Sequence, residues 1–368
     1  MPGVSATATS RLQRARAMIG QTGTDGLLIS SPATKRWLSG FVLEQGEEHH
    51  SGYSGTLLLT AEAAVILVDA RYVEVAADEC PGWEVRRTNG AIGAELSALA
   101  AEHGISTLAA EAAAMPHADW SAVEAAGLRL DAADDAIKTL RVVKDTDEVA
   151  AIGRAGALTD ACFAHLMEWL RPGLTELQVA WEIESWFRTN GAEALSFQPL
   201  VLAGPRGSMP HGHSSDVTVA GGAPLLIDFG CQVDGYRSDM TRTVSFGEPS
   251  ATFRERYGAV RGAQQAAFEA ARPGMPGSDL DTVARDFLAD AGLGETFSHG
   301  LGHGIGLDTH EAPMLLDWHA PLEAGMVFTL EPGVYFAGEM GIRIEDDVHL
   351  TDDGAVRLTD APRELLVL

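Results

Sequence analysis

The chain has 368 residues, of which 46% are hydrophobic, and this is enough for two domains with separate cores. Acidic residues outnumber basic ones by 52 to 26, and the net charge of −26 argues against nucleic-acid binding, which needs a basic face. We interpret the acidity as a source of solubility or of salt tolerance.

Cysteine content and hydropathy indicate the compartment. Three cysteines lie far apart in the chain, and none forms a Cys-x-x-Cys pair, which favours a reducing environment over a disulfide framework. The N-terminal residues contain no apolar run of signal-peptide length. No stretch approaches the roughly 20 apolar residues that a spanning helix needs. We therefore expect a cytoplasmic protein without a membrane partner.

Residues 1–140 are predicted to form an α/β layered domain, because helix-like and strand-like segments alternate along them. The segments in chain order are a helix at Arg11–Ile19, a strand at Gly26–Ser30, a strand pair within Thr56–Ala70, a helix at Arg71–Glu79, a strand at Ile105–Ala110 and a helix at Asp119–Ala126. No catalytic constellation occurs among them. His49 and His50 lie in a stretch rich in Gly and Glu, either a solvated loop or a loop that reaches over an active site.

Residues 141–368 are predicted to form a second domain that opens with two helices. The first is capped by Asp145 or Thr146 and stops at Arg171-Pro172-Gly173. The second begins at a capping-box pattern, Thr175 with Gln178, and continues through Phe187. Trp181 and Trp186 share this second helix with Leu177 and Ile183, so we expect both tryptophans in the core.

The second domain contains an internal repeat with an offset of about a hundred residues. Arg171-Pro172-Gly173 recurs as Arg272-Pro273-Gly274, and the helix end Asn190-Gly191 recurs as Ala291-Gly292. The other repeated positions are Asp228 and Glu331, Asp239 and Glu345, and His211 and His310. Such regularity predicts a duplicated domain of two helix–strand–strand halves. Two copies are too few for a solenoid, so we expect a closed pseudo-twofold arrangement.

The repeat predicts a metal site between the two halves. Each half supplies an acid on one strand and an acid on the next: Asp228 with Asp239, and Glu331 with Glu345. Four converging carboxylates cannot all stay ionised without cations. With one imidazole added, the donor set favours Mn²⁺, Co²⁺, Fe²⁺ or Zn²⁺, and it can hold two ions about 3.5–4 Å apart, an arrangement typical of hydrolysis.

At these residues the sequence resembles the pita-bread-fold metallopeptidases, which include methionine aminopeptidase, Xaa-Pro aminopeptidase and Xaa-Pro dipeptidase. The stretches HGLGHGIGLDTHEAP, FTLEPGVYF and GIRIEDDVHL carry the resemblance in the second domain. RWLSGF and VDARYVEVA are similar to a creatinase/prolidase N-terminal domain, which points to the proline-directed branch. The implied fold is therefore α/β (α+β): a creatinase/prolidase-like domain at residues 1–140 and a pita-bread catalytic domain at residues 141–368.

The resemblance also implies a role for each site residue. Asp228 would bind one metal ion, His303 and Glu331 the other, and Asp239 and Glu345 both. Glu331 would also carry the proton of the attacking water. His211 and His310 would be the catalytic histidines, with His310 also contacting substrate, His299 would lie near the substrate proline, and Arg343 would orient the ligands.

The expected activity is hydrolysis of an Xaa-Pro bond in dipeptides or at peptide N-termini, by a homodimer with two divalent ions per subunit, Mn²⁺ being preferred to Co²⁺, Zn²⁺ or Fe²⁺. The sequence leaves dipeptidase and aminopeptidase open. Two alternatives are a creatinase-like relative that acts on a small non-peptide substrate and a non-catalytic binding protein on the same fold. Both are disfavoured because such proteins usually lose metal ligands, whereas this chain keeps all five.

Overall fold

The computed structural model of the protein describes residues 6–43, 54–88 and 92–368. The stretch that contains His49 and His50 lies outside the described residues. The chain forms two compact units, Met1–Arg141 and Val142–Leu368. Across the described ranges, no helix combines the length and the apolar character that crossing a lipid bilayer requires.

Unit 1 is a mixed sheet with helices. Its helices are α1 (Ala6–Thr22), α2 (Pro32–Ser39), α3 (Val73–Glu79), α4 (Ile92–His103), α5 (His117–Ala125) and α6 (Asp134–Thr139). Its strands are β1 (Gly26–Ile29), β2 (Thr56–Thr60), β3 (Ala64–Val68), β4 (Glu84–Arg87), β5 (Thr107–Ala110) and β6 (Arg129–Ala132).

The sheet of unit 1 has the strand order β4-β3-β2-β1-β5-β6. The predicted strand pair is confirmed, since β2 and β3 are antiparallel neighbours. β1 lies antiparallel to β2 and parallel to β5, so the sheet is mixed. Its central strands are buried along their whole length, because they are continuous apolar runs that cannot face water. The α/β class predicted for this part of the chain is confirmed.

Unit 2 contains four longer helices and a series of short sheets. The helices are α7 (Thr146–Trp169), α8 (Glu176–Thr189), α9 (Ala251–Ala270) and α10 (Gly277–Asp290). The strands are β7 (Ala194–Leu195), β8 (Leu200–Ala203), β9 (Pro224–Phe229), β10 (Cys231–Val233), β11 (Tyr236–Arg237), β12 (Met240–Ser245), β13 (His303–Gly304), β14 (Glu311–Met314), β15 (Val327–Leu330), β16 (Gly333–Phe336), β17 (Met340–Arg343), β18 (Asp346–Thr351) and β19 (Gly354–Arg357).

The predicted repeat is visible in these boundaries. The second helix runs from Glu176 to Thr189 in the first half and from Gly277 to Asp290 in the second half, an offset of 101 residues at both ends. β12 and β18 begin and end with an offset of 106 residues. The first half forms the sheet β12-β9-β8 and the second half the sheet β14-β13-β15-β18-β19. Two helices followed by a sheet therefore occur twice.

The predicted helix starts in unit 2 are also confirmed. The Asp145 carboxylate accepts hydrogen bonds from the backbone N–H groups of the first turn of α7, and the Glu148 side chain accepts from the Asp145 N–H. Thr175 and Gln178 make the same reciprocal pair at α8. Each capping box satisfies N–H groups that have no partner within the helix, so the helix starts are determined by local sequence.

One expectation about α8 is wrong: Trp181 does not lie in the core. Its side chain is 68% exposed, whereas Ile183 and Phe187 are fully buried. With 3.6 residues per turn, position 181 lies about 200° around the helix from position 183, on the solvent side. Trp186 lies beside the buried face and packs against the core, as predicted.

Candidate metal centre and active site

The structure brings a histidine and two acids from different parts of unit 2 into one buried cluster. Asp239, His303 and Glu345 each offer a ligand atom, and these atoms all lie within 4.8 Å of one another. Glu331 adjoins the cluster, because its Oε1 lies 3.4 Å from Nε2 of His303. Nε2 of the same histidine lies 3.9 Å from Oδ2 of Asp239. The cluster therefore draws ligands from both halves of the repeat.

Strand pairing explains why the acids meet. In the first half, β9 and β12 are antiparallel with Asp228 opposite Thr241, so Asp239 lies beside the end of the β9 strand. In the second half, β15 and β18 are antiparallel, and Glu331 and Glu345 lie just beyond the last paired residues. The halves are joined where the Glu345 N–H donates to the Thr241 carbonyl at 3.1 Å.

The His303 ring is oriented so that its Nε2 could bind a metal ion. Its Nδ1 lies 3.1 Å from the Gly304 carbonyl oxygen. A carbonyl only accepts, so we assign the ring proton to Nδ1, and Nε2 is left with its lone pair directed toward the carboxylates. Burial lowers the pKa of His303, which keeps this neutral form.

The carboxylates are held close together in a buried site that carries too little positive charge. Burial and neighbouring carboxylates raise the pKa of Asp239 and of Glu345 well above the usual range, and burial raises the pKa of Glu331. One buried oxygen of Asp228 and one of Asp239 have no hydrogen-bond partner in the described part of the chain. Unpartnered buried carboxylate oxygens beside a neutral imidazole fit divalent cations.

Arg343 is the cation that the chain itself brings to the site. Its Nη2 donates to Oδ2 of Asp228 at 2.5 Å, its Nε to Oγ1 of Thr241 at 2.9 Å, and its Nη1 to the Tyr335 hydroxyl at 3.0 Å. Thr241 in turn orients the Glu345 carboxylate, because its hydroxyl donates to Oε2 of Glu345 at 2.5 Å. One guanidinium therefore fixes Asp228 directly and Glu345 through a threonine.

His299 lies on the other side of Tyr335. Its Nδ1 is 2.8 Å from the Gly300 carbonyl oxygen, and its Nε2 is 2.9 Å from the Tyr335 hydroxyl. Burial raises the pKa of Tyr335 to about 12, so the phenol stays protonated. Its hydroxyl therefore donates a hydrogen bond to Nε2 of His299. The structure thus links His299, Tyr335, Arg343 and Asp228 in one hydrogen-bonded chain.

His310 and His211 flank the buried cluster. The His310 ring lies 4.0 Å from the His303 ring, centroid to centroid, at an angle of 40°. Desolvation by the surrounding protein, with His303 beside it, lowers the pKa of His310 to about 4, although the residue keeps an exposed face. His211 is exposed in the loop after Pro210, and the Pro210 carbonyl accepts from Nη1 of Arg343 at 3.4 Å.

Sequence reasoning missed several residues that orient the ligands. Tyr335 was not singled out, although it lies in the same FTLEPGVYF stretch as Glu331. Thr329 accepts from the His303 N–H at 3.1 Å and donates to Oε1 of Glu331 at 3.0 Å. Thr241 lies two residues from Asp239, and Thr329 lies two residues from Glu331. In a strand, this spacing places each threonine side chain on the same face as its neighbouring acid. That spacing is the signal that could have identified the threonines.

Comparison with known protein families identifies both parts of the chain. Residues 150–352 match the family described as metallopeptidase family M24, and residues 11–143 match the creatinase/prolidase N-terminal domain. The chain belongs to metallopeptidase family M24. The mixed α/β fold of this M24 peptidase, with its creatinase-type N-terminal domain, is the fold that the sequence predicted.

Individual relatives match along nearly the whole chain. The M24 peptidase is 34% identical to the uncharacterized peptidase YqhT of Bacillus subtilis (strain 168), over 97% of this chain and 100% of that protein. It superposes on the Xaa-Pro dipeptidase from Bacillus anthracis with a TM-score of 0.92 at 34% identity, covering 98% of this chain and 100% of that one. For the X-Pro aminopeptidase from Thermotoga maritima MSB8 the TM-score is 0.87 at 34% identity, with 97% and 99% covered.

Proposed function

We propose that this M24 peptidase is a dinuclear-metal exopeptidase that hydrolyses the Xaa-Pro bond of dipeptides or of peptide N-termini. The convergence of Asp239, His303 and Glu345 in one buried cluster carries the proposal. The likeness to an Xaa-Pro dipeptidase and to an X-Pro aminopeptidase supports the proline-directed substrate. The two structures resemble the chain to a similar degree, so dipeptides and longer peptides are both candidate substrates.

We assign five residues to the metal site: Asp228, Asp239, His303, Glu331 and Glu345. The unpartnered oxygens of Asp228 and Asp239 and the neutral Nε2 of His303 support the assignment. Two divalent ions, Mn²⁺ before Co²⁺, Zn²⁺ or Fe²⁺, fit this set of oxygens with one nitrogen. When bound, such ions activate water and polarise the scissile carbonyl.

The protein groups supply proton transfer and orientation. Glu331 takes the proton of the attacking water, and its place beside the cluster, with Oε1 3.4 Å from Nε2 of His303, supports this role. His310 and His211 donate hydrogen bonds to the tetrahedral intermediate and to the leaving imino nitrogen. His310 also contacts the substrate, and His299 lies beside its proline ring. Arg343 holds Asp228 in position.

The proposal extends to the domain boundaries, the compartment, the oligomeric state and the partners of the enzyme. We assign residues 1–140 to the creatinase/prolidase-like domain and residues 141–368 to the catalytic domain, which the two compact units support. The enzyme is proposed to act in the cytoplasm as a homodimer. Proline-containing peptides are its substrates, and its net charge of −26 argues against a nucleic-acid partner.

The test is an assay of the Mn²⁺-loaded enzyme on Xaa-Pro dipeptides and on Xaa-Pro-Yaa peptides, with Xaa-Ala peptides as the control. We expect hydrolysis of at least one proline class and none of the control. Elemental analysis should find about two transition-metal ions per subunit. A protein that binds no metal and cleaves neither proline class would instead fit a creatinase-like or a non-catalytic relative.

A further inference from the structure

Arg237 binds the segment that precedes His310. Its Nε donates to the Leu307 carbonyl at 3.0 Å, and its Nη1 donates to Oγ1 of Thr309 at 3.1 Å. Its backbone N–H donates to the Gly306 carbonyl at 2.9 Å. One residue of the first half therefore contacts the second half at three points, residues 306, 307 and 309.

A second set of hydrogen bonds joins the same segment to the first half. Nη1 of Arg237 also donates to the Ser196 carbonyl at 2.6 Å, and the Thr309 hydroxyl donates to that carbonyl at 3.0 Å. Ser196, Arg237 and Thr309 thus form a closed triangle of hydrogen bonds. We call these three residues the arginine clamp.

The clamp acts on the end of a segment whose first part is anchored by the buried side chains of Ile305 and Leu307. Residues 305–310 lie between β13 and β14 and form neither helix nor strand. His310 is the last of them, and its ring lies against His303. Rotation about the backbone bonds of such a segment would displace the His310 ring unless contacts hold the segment in place.

The far end of the segment has an independent anchor. The Glu311 carboxylate is paired with the buried ammonium of Lys144 at 2.6 Å. Removing the clamp should therefore release Thr309 and leave β14 in place. The expected consequence is a displaced His310 in a protein that remains folded.

We propose that Arg237 is a positioning residue that holds the His310 ring over His303. The proposal rests on the proposed peptidase function for its kinetic consequence, but its structural consequence can be measured without activity. The fork of the guanidinium suits this task, because it directs donors at carbonyls on two sides, which a single ammonium does not do.

The kinetic test is a double-mutant cycle between Arg237→Ala and His310→Asn. If Arg237 acts through His310, Arg237→Ala lowers kcat by about 10- to 100-fold, the scale of a misplaced catalytic group. The double variant is then no slower than His310→Asn alone. Losses that multiply in the double variant would assign Arg237 a separate role and overturn the proposal. Arg237→Lys should recover only part of the rate.

Controls separate the clamp from general damage. Arg154→Ala removes an exposed arginine that pairs with Asp234, three residues before Arg237, and should leave kcat unchanged. Metal content measured by elemental analysis should be equal in all variants. If Arg237→Ala does not fold, Thr309→Val takes its place in the cycle, with an expected loss of about 5- to 30-fold, because the Thr309 hydroxyl makes two hydrogen bonds. A Thr309→Val rate equal to wild type would then count against the clamp.

A second readout is independent of catalysis. Histidine labelled with ¹³C at Cε1 reports the ring environment in the metal-free protein, and His310→Asn assigns the His310 resonance. In Arg237→Ala this resonance should shift, because the His310 ring loses its contact with the His303 ring in a protein that stays folded. An unchanged His310 resonance would overturn the clamp even if wild type cleaves Xaa-Pro peptides. Failure of wild type to cleave them would refute the peptidase function alone.

Discussion

Arg343 donates from Nη2 to Oδ2 of Asp228 at 2.5 Å, although 115 positions separate the two residues in the chain. Both side chains are almost entirely buried. The contact joins the two halves of the repeat at the candidate metal site, and it leaves the other oxygen of Asp228 unpartnered within the described ranges. The arginine thus orients the carboxylate, and the unpartnered oxygen is the one that we propose to bind a cation.

Replacing Arg343 by lysine should therefore impair the site despite the conserved charge. A lysine ammonium is a compact point charge, so it cannot serve Asp228, Thr241 and Tyr335 at once. We expect a loss of about 10- to 100-fold in activity or metal affinity. Steady-state kinetics and metal titration measure it. The control is Arg256→Lys, at a pair with the exposed Glu339, and equal behaviour of the two variants would refute the special role of Arg343.

Glu331→Gln tests the proton carrier with a change that keeps the shape of the side chain. Loss of the carboxylate removes both a proposed ligand and the proposed base, so turnover should fall by at least about 1,000-fold. Thermal unfolding should show that the protein stays folded. Glu339→Gln, at an exposed acid eight residues away, should be neutral. Near-normal turnover of Glu331→Gln would mean that the role belongs to another residue.

Metal binding should release protons. The pKa values of Asp239 and Glu345 are raised well above their ordinary values by burial and by neighbouring carboxylates, so the metal-free native site binds more protons than the unfolded chain above about pH 4. Stability of the metal-free protein from these two groups therefore falls as the pH rises through that window. A divalent ion displaces the protons, and its apparent affinity should rise with pH.

Calorimetric titration of the metal-free protein with Mn²⁺ measures this release. In two buffers of different ionisation enthalpy, the observed heat should differ in proportion to the number of protons released. Ca²⁺ serves as the comparison, because it prefers more oxygen ligands than this site offers. Equal Mn²⁺ heats in the two buffers would show that the site is already ionised before the metal binds.

The buried ion pair Lys144–Glu311 should respond differently to single and double replacement. Its side chains are 1% and 7% exposed. Lys144→Met leaves a buried carboxylate without its cation and should cost about 3–5 kcal/mol of unfolding free energy. Combining it with Glu311→Leu should recover much of that loss, because no unpaired charge remains. Urea unfolding measures both. A double variant as unstable as the single one would show that the pair is needed for more than charge balance.

The two faces of α8 predict opposite effects of truncation. Phe187→Ala opens a cavity in the core and should cost about 3–5 kcal/mol, whereas Trp181→Ala on the exposed face should cost less than about 0.5 kcal/mol. Urea unfolding of the two variants compares them. A large cost for Trp181→Ala would indicate that another surface covers this tryptophan in solution.

Much of the fold could be predicted because helix starts and repeats depend on patterns of residues close together in the sequence. The helix starts at Asp145 and Thr175 depend on residues three positions apart. The offset of 101 residues is visible in turn sequences and persists in the helix ends. Trp181 shows where such reasoning fails, since membership of a helix says nothing about which face a residue occupies until the buried stripe is known.

The sequence by itself determined the candidate donors, four carboxylates and an imidazole, and the repeat that pairs them, because residue type and period are local properties. Only the tertiary structure decided that Tyr335 lies between His299 and Arg343, and that Arg237 holds the segment before His310. These contacts depend on how the chain folds, and they produce no recognisable period or spacing in the sequence. Their geometry arises where the two halves pack together, so it exists only after the chain has folded.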